Sequence, residues 1–152
     1  AVDYFAWIGK ALAGEEHAVD ADDRRRSKRS SYVSQALRYL FDYERELVTH
    51  LIHGLKGLPG VRILGITDEA AFDRRVPTVA FTVEGHEPAA LAQALGEQNI
   101  FVWSGHNYAV EVARSLGIYE SGGAVRVGPV HYNSKAEIDE LIEALDGIVR
   151  PA

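Results

Sequence analysis

The chain contains no cysteine. Disulfides, thiolate metal sites and a cysteine nucleophile are therefore excluded. Methionine is missing as well; a translated chain starts with one, so the sequence is either trimmed or a piece of something longer, and with no targeting segment in sight a piece is expected. No run approaches the roughly 20 apolar residues of a membrane-crossing helix. The first residues lack the basic stretch followed by an apolar one that marks a secretory leader, so the expected location is cytoplasmic. A surplus of positive charge is also lacking: the net charge is −6, whereas nucleic-acid binders draw most of their affinity from neutralising phosphates. The one basic cluster, Arg24 to Arg29, directly follows Asp20, Asp22 and Asp23, which largely cancel its field. It reads as a solvated loop rather than a phosphate or partner patch. Neither nucleic acid nor a membrane is an expected partner. There is no P-loop, no dinucleotide fingerprint and no G-x-S-x-G.

What is present is an ordinary globular composition on 152 residues, enough to bury a core. Val2, Phe5, Ile8 and Leu12 predict a helix over Ala1–Leu12. Residues Ala13–Ser30 are charged and without an apolar period, and read as a loop. A long amphipathic helix is expected over Ser31–Leu58, with a stripe of Val33, Leu37, Leu40, Phe41, Leu47, Leu51 and Leu55. Ser30 or Ser31 would cap it, and Gly57, Pro59 and Gly60 would end it. Strands are expected at Val61–Leu64, Val76–Val83, Ile100–Trp103 and Ala124–Val130. Pro88 opens a helix running to Gly96. Tyr108–Leu116 is a short helix stopped by Gly117. Ser134 and Glu137 form a capping box ahead of Ile138, Leu141, Ile142 and Leu145, predicting a helix over 135–149. The expected fold is α+β: a small, mainly antiparallel sheet with helices on one face, preceded by a long connecting helix. The domain reading is 1–58 for the N-terminal helix, loop and long helix, and 59–152 for the α+β domain.

Chemistry concentrates between Ile100 and Val130. Gly105 and His106 follow a strand and open a helix, where backbone N–H groups are free. His106 either meets an anion or proton there, or ties down its own loop. Tyr108 either reaches a ligand or packs. Arg126 stands alone among Val125, Val127, Gly123 and Gly128. A guanidinium in such a strand needs either an internal carboxylate or a ligand, because its burial unpaired is costly, and arginine suits bidentate carboxylate recognition. His50 and His53 are three apart on the long helix with no third ligand nearby, so no metal site is expected.

The run VWSGHNYA, a short helix and then AVRVGPVHYNSKAEIDELIEAL resemble the C-terminal end of the class V aminotransferases, fold-type I pyridoxal-phosphate enzymes that include cysteine desulfurases. RVPTVAFTVEGHEPAALAQALGEQNI is similar to the strand–helix unit before that loop, and YERELVTHLIHGLKGLPGVRILG to the long interdomain helix and the strand after it. The resemblance covers nearly the whole chain and implies the small (C-terminal) domain of such an enzyme. Pyridoxal phosphate and its Schiff-base lysine would belong to a large domain outside this chain, with a homodimeric parent acting as a lyase or transferase on an amino acid. Arg126 falls where the family holds the substrate carboxylate, Gly105 and His106 on the glycine–histidine of the active-site loop, and Asn133 on the segment after the last strand. The resemblance thus implies substrate binding by Arg126, His106, Gly105 and Tyr108, no catalytic residue in this piece, no cofactor held by it alone, and no turnover by it alone. Two departures stand out. Tyr108 occupies the place of the desulfurases' sulfur-accepting cysteine, and Trp103 that of the arginine which begins their loop. The competing reading is a stand-alone α+β module that binds an amino acid or a partner without catalysis.

Overall fold

A computed structural model describes residues 1–13 and 28–150. Most of the expected Ala13–Ser30 loop, and most of the basic cluster, lie outside the described residues. The chain divides into two compact units, Ala1–Tyr43 and Glu44 onward.

In the first unit, α1 (Val2–Ala13) lies against the start of α2 (Lys28–Lys56). Their approach is close at Gly9, where a Cβ would meet the Tyr32 carbonyl. Arg29 also pairs with Asp3. The start of α2 corrects the expectation: the helix already includes Lys28, so Ser30 and Ser31 lie inside it and do not cap it. Lysine and arginine are good helix formers, and a helix does not need an apolar period where it is solvated. The buried stripe also differs. It runs through Ala36, Leu40, Leu47, Leu51 and Leu55, with Val48 and Ile52 beside it, while Leu37 and Phe41 are exposed. Along α2 the small Ala36, not its larger neighbour Leu37, takes the inward position.

In the second unit four strands form one sheet in the order β1–β2–β4–β3: β1 Val61–Leu64, β2 Val79–Val83, β3 Trp103–Gly105 and β4 Ala124–Val127. All three pairings are antiparallel, which gives the α+β architecture expected from the sequence. The period of two sends Val79, Phe81 and Val83 to one side of β2. In register, Phe81 stands between Ile63 of β1 and Val125 of β4. Phe81, Val79 and Val125 have no exposed surface. Buried with them are Leu91 and Leu95 of α3 (Pro88–Gly96) and Ile138, Leu141 and Leu145 of α5 (Lys135–Val149). The C-terminal half of α2 also packs on α5, so closely at Gly54 that a Cβ would strike the Ile142 side chain.

Three strands differ in extent from the sequence reading. Residues 100–102 are not strand, and only Trp103 of the expected Ile100–Trp103 pairs. The backbone before it closes α3 instead: Asn99 takes a left-handed φ of 62°, its N–H donates to the Gly96 carbonyl and that of Ile100 to Leu95. This is a Schellman closure: the helix runs to Gly96 as expected, and Asn99 supplies the left-handed residue after it. β2 starts at Val79 instead of Val76 because Pro77 has no N–H for the ladder and because Arg75 claims the carbonyls of Val76 and Thr78, along with that of Ile66. β4 stops at Val127, ahead of Gly128 and Pro129.

The capping box is formed. Ser134 N–H donates to the Glu137 carboxylate at 2.6 Å, and Glu137 N–H to the Ser134 hydroxyl at 3.3 Å. The Ser134 backbone bond chiefly, then the Ser134 hydroxyl, hold the Glu137 carboxyl below the ordinary glutamate range. A depressed folded value means that this contribution is complete above the unfolded carboxyl's titration, about 4.3, and is lost as pH falls through the folded one. Ser134→Ala is expected to cost about 1 kcal/mol at neutral pH, measured by urea unfolding; it keeps the Ser134 N–H, so only the smaller hydroxyl part of the gap narrows in acid. Glu137→Gln should lose the acid-sensitive part of the stability altogether, and a Glu137→Gln variant whose stability falls in acid as the parent's does would contradict this assignment.

Candidate functional site

The second face of the sheet is the one that Phe81 does not share. Alternation puts Ala80 of β2, Ala124 and Arg126 of β4, and Trp103 and Gly105 of β3 on it, since Arg126 is in register with Ala80 and Trp103, and Gly105 with Ala124. One short helix, α4 (Val110–Ser115), covers part of this face. Gly117 at φ 70° ends it. The Gly117 N–H donates to Arg114 and the Ile118 N–H to Ala113, the same closure that ends α3. This folds Ile118 back onto Ala113 and Ala124, a small cluster with Leu64, Ala80 and Tyr119 around it. A cavity of about 500 Å³ opens between α4 and the sheet, with Gly105, His106 and Arg126 in its lining.

Arg126 is half-buried. Its guanidinium lies 5.9 Å from the centre of the Trp103 ring, which is cation–π range. Among the described residues no carboxylate lies within ion-pair distance of it. It also borders a second hollow of about 650 Å³, whose lining includes Trp103, Glu137 and Glu140.

His106 is half-buried with its ring 4.5 Å from that of Tyr119. Its Nε2 lies 3.0 Å from the Tyr119 carbonyl. A carbonyl only accepts, so Nε2 carries the proton and Nδ1 is the ring's acceptor. The histidine therefore ties its loop to the turn before β4. Beneath it, Gly123 holds a φ of 90° with its Cα close against the Gly105 backbone. Asn107 donates from its side chain to the Gly105 carbonyl at 3.1 Å.

Three of the four site residues read from the sequence thus line one cavity, and Tyr108 does not. Asn107 and Tyr108 both take left-handed φ angles, 51° and 62°, and the Tyr108 ring is turned fully into solvent. Sequence reasoning missed Asn107 and the apolar walls from Leu64 and α4. It noted Trp103 only as a departure. Its place across from Arg126 follows from register, which needs the strand boundary to be right. His50 and His53 go separate ways, to Asp139 and Glu69, and among the described residues no three histidine, aspartate or glutamate side chains converge as a metal site. Among the described residues no helix is long and apolar enough to cross a membrane.

The aminotransferase class-V family model matches residues 32–141, spanning the sheet, the cavity and most of α2. The chain belongs to the class-V aminotransferase family. Within it, the chain is 35% identical to a probable cysteine desulfurase of Pseudomonas putida over 68% of its own length and 23% of that protein. It is 34% identical to an aminotransferase-like protein of Gibberella zeae over 71% of its length and 27% of that protein. Among solved structures, the apo cysteine desulfurase of Thermococcus onnurineus superposes with a TM-score of 0.67 at 27% identity, covering 80% of this chain and 30% of that one. The chain spans about a third or less of the curated relatives it matches. It is a cysteine desulfurase-like member of the family that corresponds to a fraction of those proteins, although it carries no cysteine of its own.

Proposed function

We propose that this chain serves as the small domain of a pyridoxal-phosphate enzyme of the class-V family, and that Arg126 binds the carboxylate of an amino-acid substrate. In this reading 59–152 form the domain that meets substrate and 1–58 the connecting element. The observation that carries it is a half-buried guanidinium with no carboxylate partner among the described residues, in the lining of a cavity and 5.9 Å from the Trp103 ring centre. Arginine's planar fork offers two parallel N–H donors to a carboxylate, and a cation–π contact with the indole leaves those donors free. His106 keeps the Gly105–His106 loop at the cavity wall, and its ring can accept there only through Nδ1.

The residues present do not fit the cofactor by themselves. Pyridoxal phosphate supplies an electron sink for amino-acid chemistry when a lysine holds it. The four lysines of this chain are Lys10, Lys28, Lys56 and Lys135. Lys56 is bonded to the Thr67 carbonyl and Lys135 to Glu46, and the lining of the Arg126 cavity includes no lysine. The proposal therefore assigns cofactor binding to the rest of a longer, homodimeric enzyme and gives this domain the tasks of binding and orienting.

The test is Arg126→Ala in the longer protein that carries both domains. Loss of a charge-assisted contact of about 2–3 kcal/mol is expected to raise KM about 30- to 150-fold with kcat much less affected. Arg126→Lys should recover only part of it. Unchanged kinetics with reduced stability would instead make Arg126 a structural residue.

A further inference from the structure

The cavity beside Arg126 is mostly apolar, with Arg126, His106 and Asn107 as the polar side chains in its lining. Its walls are Leu64, Ala80, Val112, Ala113, Leu116 and Ile118, and Arg126 is the one charged residue in its lining. The second hollow at Arg126 has Glu137 and Glu140 in its lining. A carboxylate on the guanidinium is repelled from that side and drawn toward the acid-free cavity under α4. Two of its wall residues, Val112 and Leu116, are exposed at 57% and 43%, apolar surface at the rim that nothing within the described chain covers. From Arg126 to Ala124, on the cavity floor, is one same-face step along β4, about 7 Å. That is the reach of a short hydrocarbon chain or a phenyl ring attached near a carboxylate. The volume of about 500 Å³ lies in the range of small-molecule sites.

Resting on the carboxylate role of Arg126, we propose that this cavity selects the substrate side chain, and that the substrate class is an amino acid with a bulky apolar side chain, aliphatic or aromatic. The carboxylate sits on Arg126, and the side chain runs over Ala124 into the space walled by Leu64 and α4. His106 and Asn107 line it beside Gly105. A charged side chain would be desolvated there at a cost, because most of the wall is apolar and only His106 and Asn107 add polar side chains to Arg126 in its lining.

The experiment is an NMR titration of the 152-residue chain with acetate, 3-phenylpropionate, succinate and 3-phenyl-1-propanol at millimolar concentrations. Phenylpropionate is expected to bind at least about tenfold more tightly than acetate, from burial of its ring. It should shift the methyl signals of Val112, Ala113 and Ala124, and it should be weakened by Arg126→Ala. Succinate should show no such gain, and the alcohol should bind more weakly than the acid. Val112→Asn, a change at an exposed rim position, should reduce the preference for phenylpropionate over acetate. Equal, Arg126-dependent binding of acetate and phenylpropionate would overturn the apolar selection and leave the carboxylate reading standing. Binding of the alcohol as tight as that of the acid would also overturn it. Binding of no carboxylate, or binding indifferent to Arg126→Ala, would overturn both.

Discussion

Gly123→Ala is expected to cost about 4 kcal/mol of stability, and the same change one residue earlier, Gly122→Ala, only about 1–2. Both glycines have left-handed backbones, φ 85° and 90°, so both variants carry the strain of a non-glycine residue there, about 1–2 kcal/mol. They differ in what the new methyl group meets. At Gly122 its nearest neighbour is Pro88 Cδ at 3.7 Å, an ordinary contact. At Gly123 it would stand 2.2 Å from the Gly105 carbonyl oxygen, 2.3 Å from the carbonyl carbon and 2.8 Å from His106 N. All three atoms are backbone, so no rotamer change relieves the clash, and overpacking adds its own penalty of about 1–3 kcal/mol. Relief requires β3 to move away from β4, which breaks the Gly105–Ala124 pairing and carries His106 off Tyr119. Urea unfolding of both variants gives the comparison, and the His106 ring signals report the local shift. Equal losses in the two variants would mean that the close approach does not exist.

Phe81→Ala should be as damaging, for a different reason. The ring has no exposed surface and lies in a central strand, flanked by Ile63 and Val125. The helices on that face are anchored through Leu91, Leu95 and Leu145, all essentially buried, so the surroundings have little freedom to collapse into the space left. Large-to-small changes of this kind cost about 3–5 kcal/mol, a large part of a typical domain's total of 5–15. Denaturant titration should show the midpoint falling with little change in slope. A loss below about 1.5 kcal/mol would place the main core elsewhere.

The parts of the fold that were legible in the sequence are those governed by local chemistry. Pro88, Gly117 and the Ser134–Glu137 box marked helix ends that the structure has, because caps and breakers act within one turn. Alternation in VAFTV gave the buried face of β2. The misplaced boundaries share another cause: a backbone group whose partner is distant in sequence or hidden by a permissive residue. Asn99 closes α3 in a conformation that glycine adopts more often, which displaced the start of β3. Arg75 occupies carbonyls that β2 would otherwise have offered to a neighbour. At the site, Arg126 was legible because a lone charge in an apolar strand is conspicuous. Tyr108 was not, since its outward turn depends on two consecutive left-handed residues that Asn107 and Tyr108 do not advertise. The apolar walls of the cavity were invisible because Val112 and Leu116 sit at spacings equally suited to packing.

β4 carries Val125 toward the α3–α5 side and Arg126 toward the cavity, one residue apart. Two tasks are therefore interleaved along the same few residues yet separated by the thickness of the sheet. Substitutions on the cavity side, at positions 80, 124 or 126, leave the packed side untouched, and effects on separate neighbourhoods combine almost independently. A scaffold of this kind can change what it recognises by small steps without passing through unstable intermediates. The pleat of a single strand thus gives the domain room to diversify.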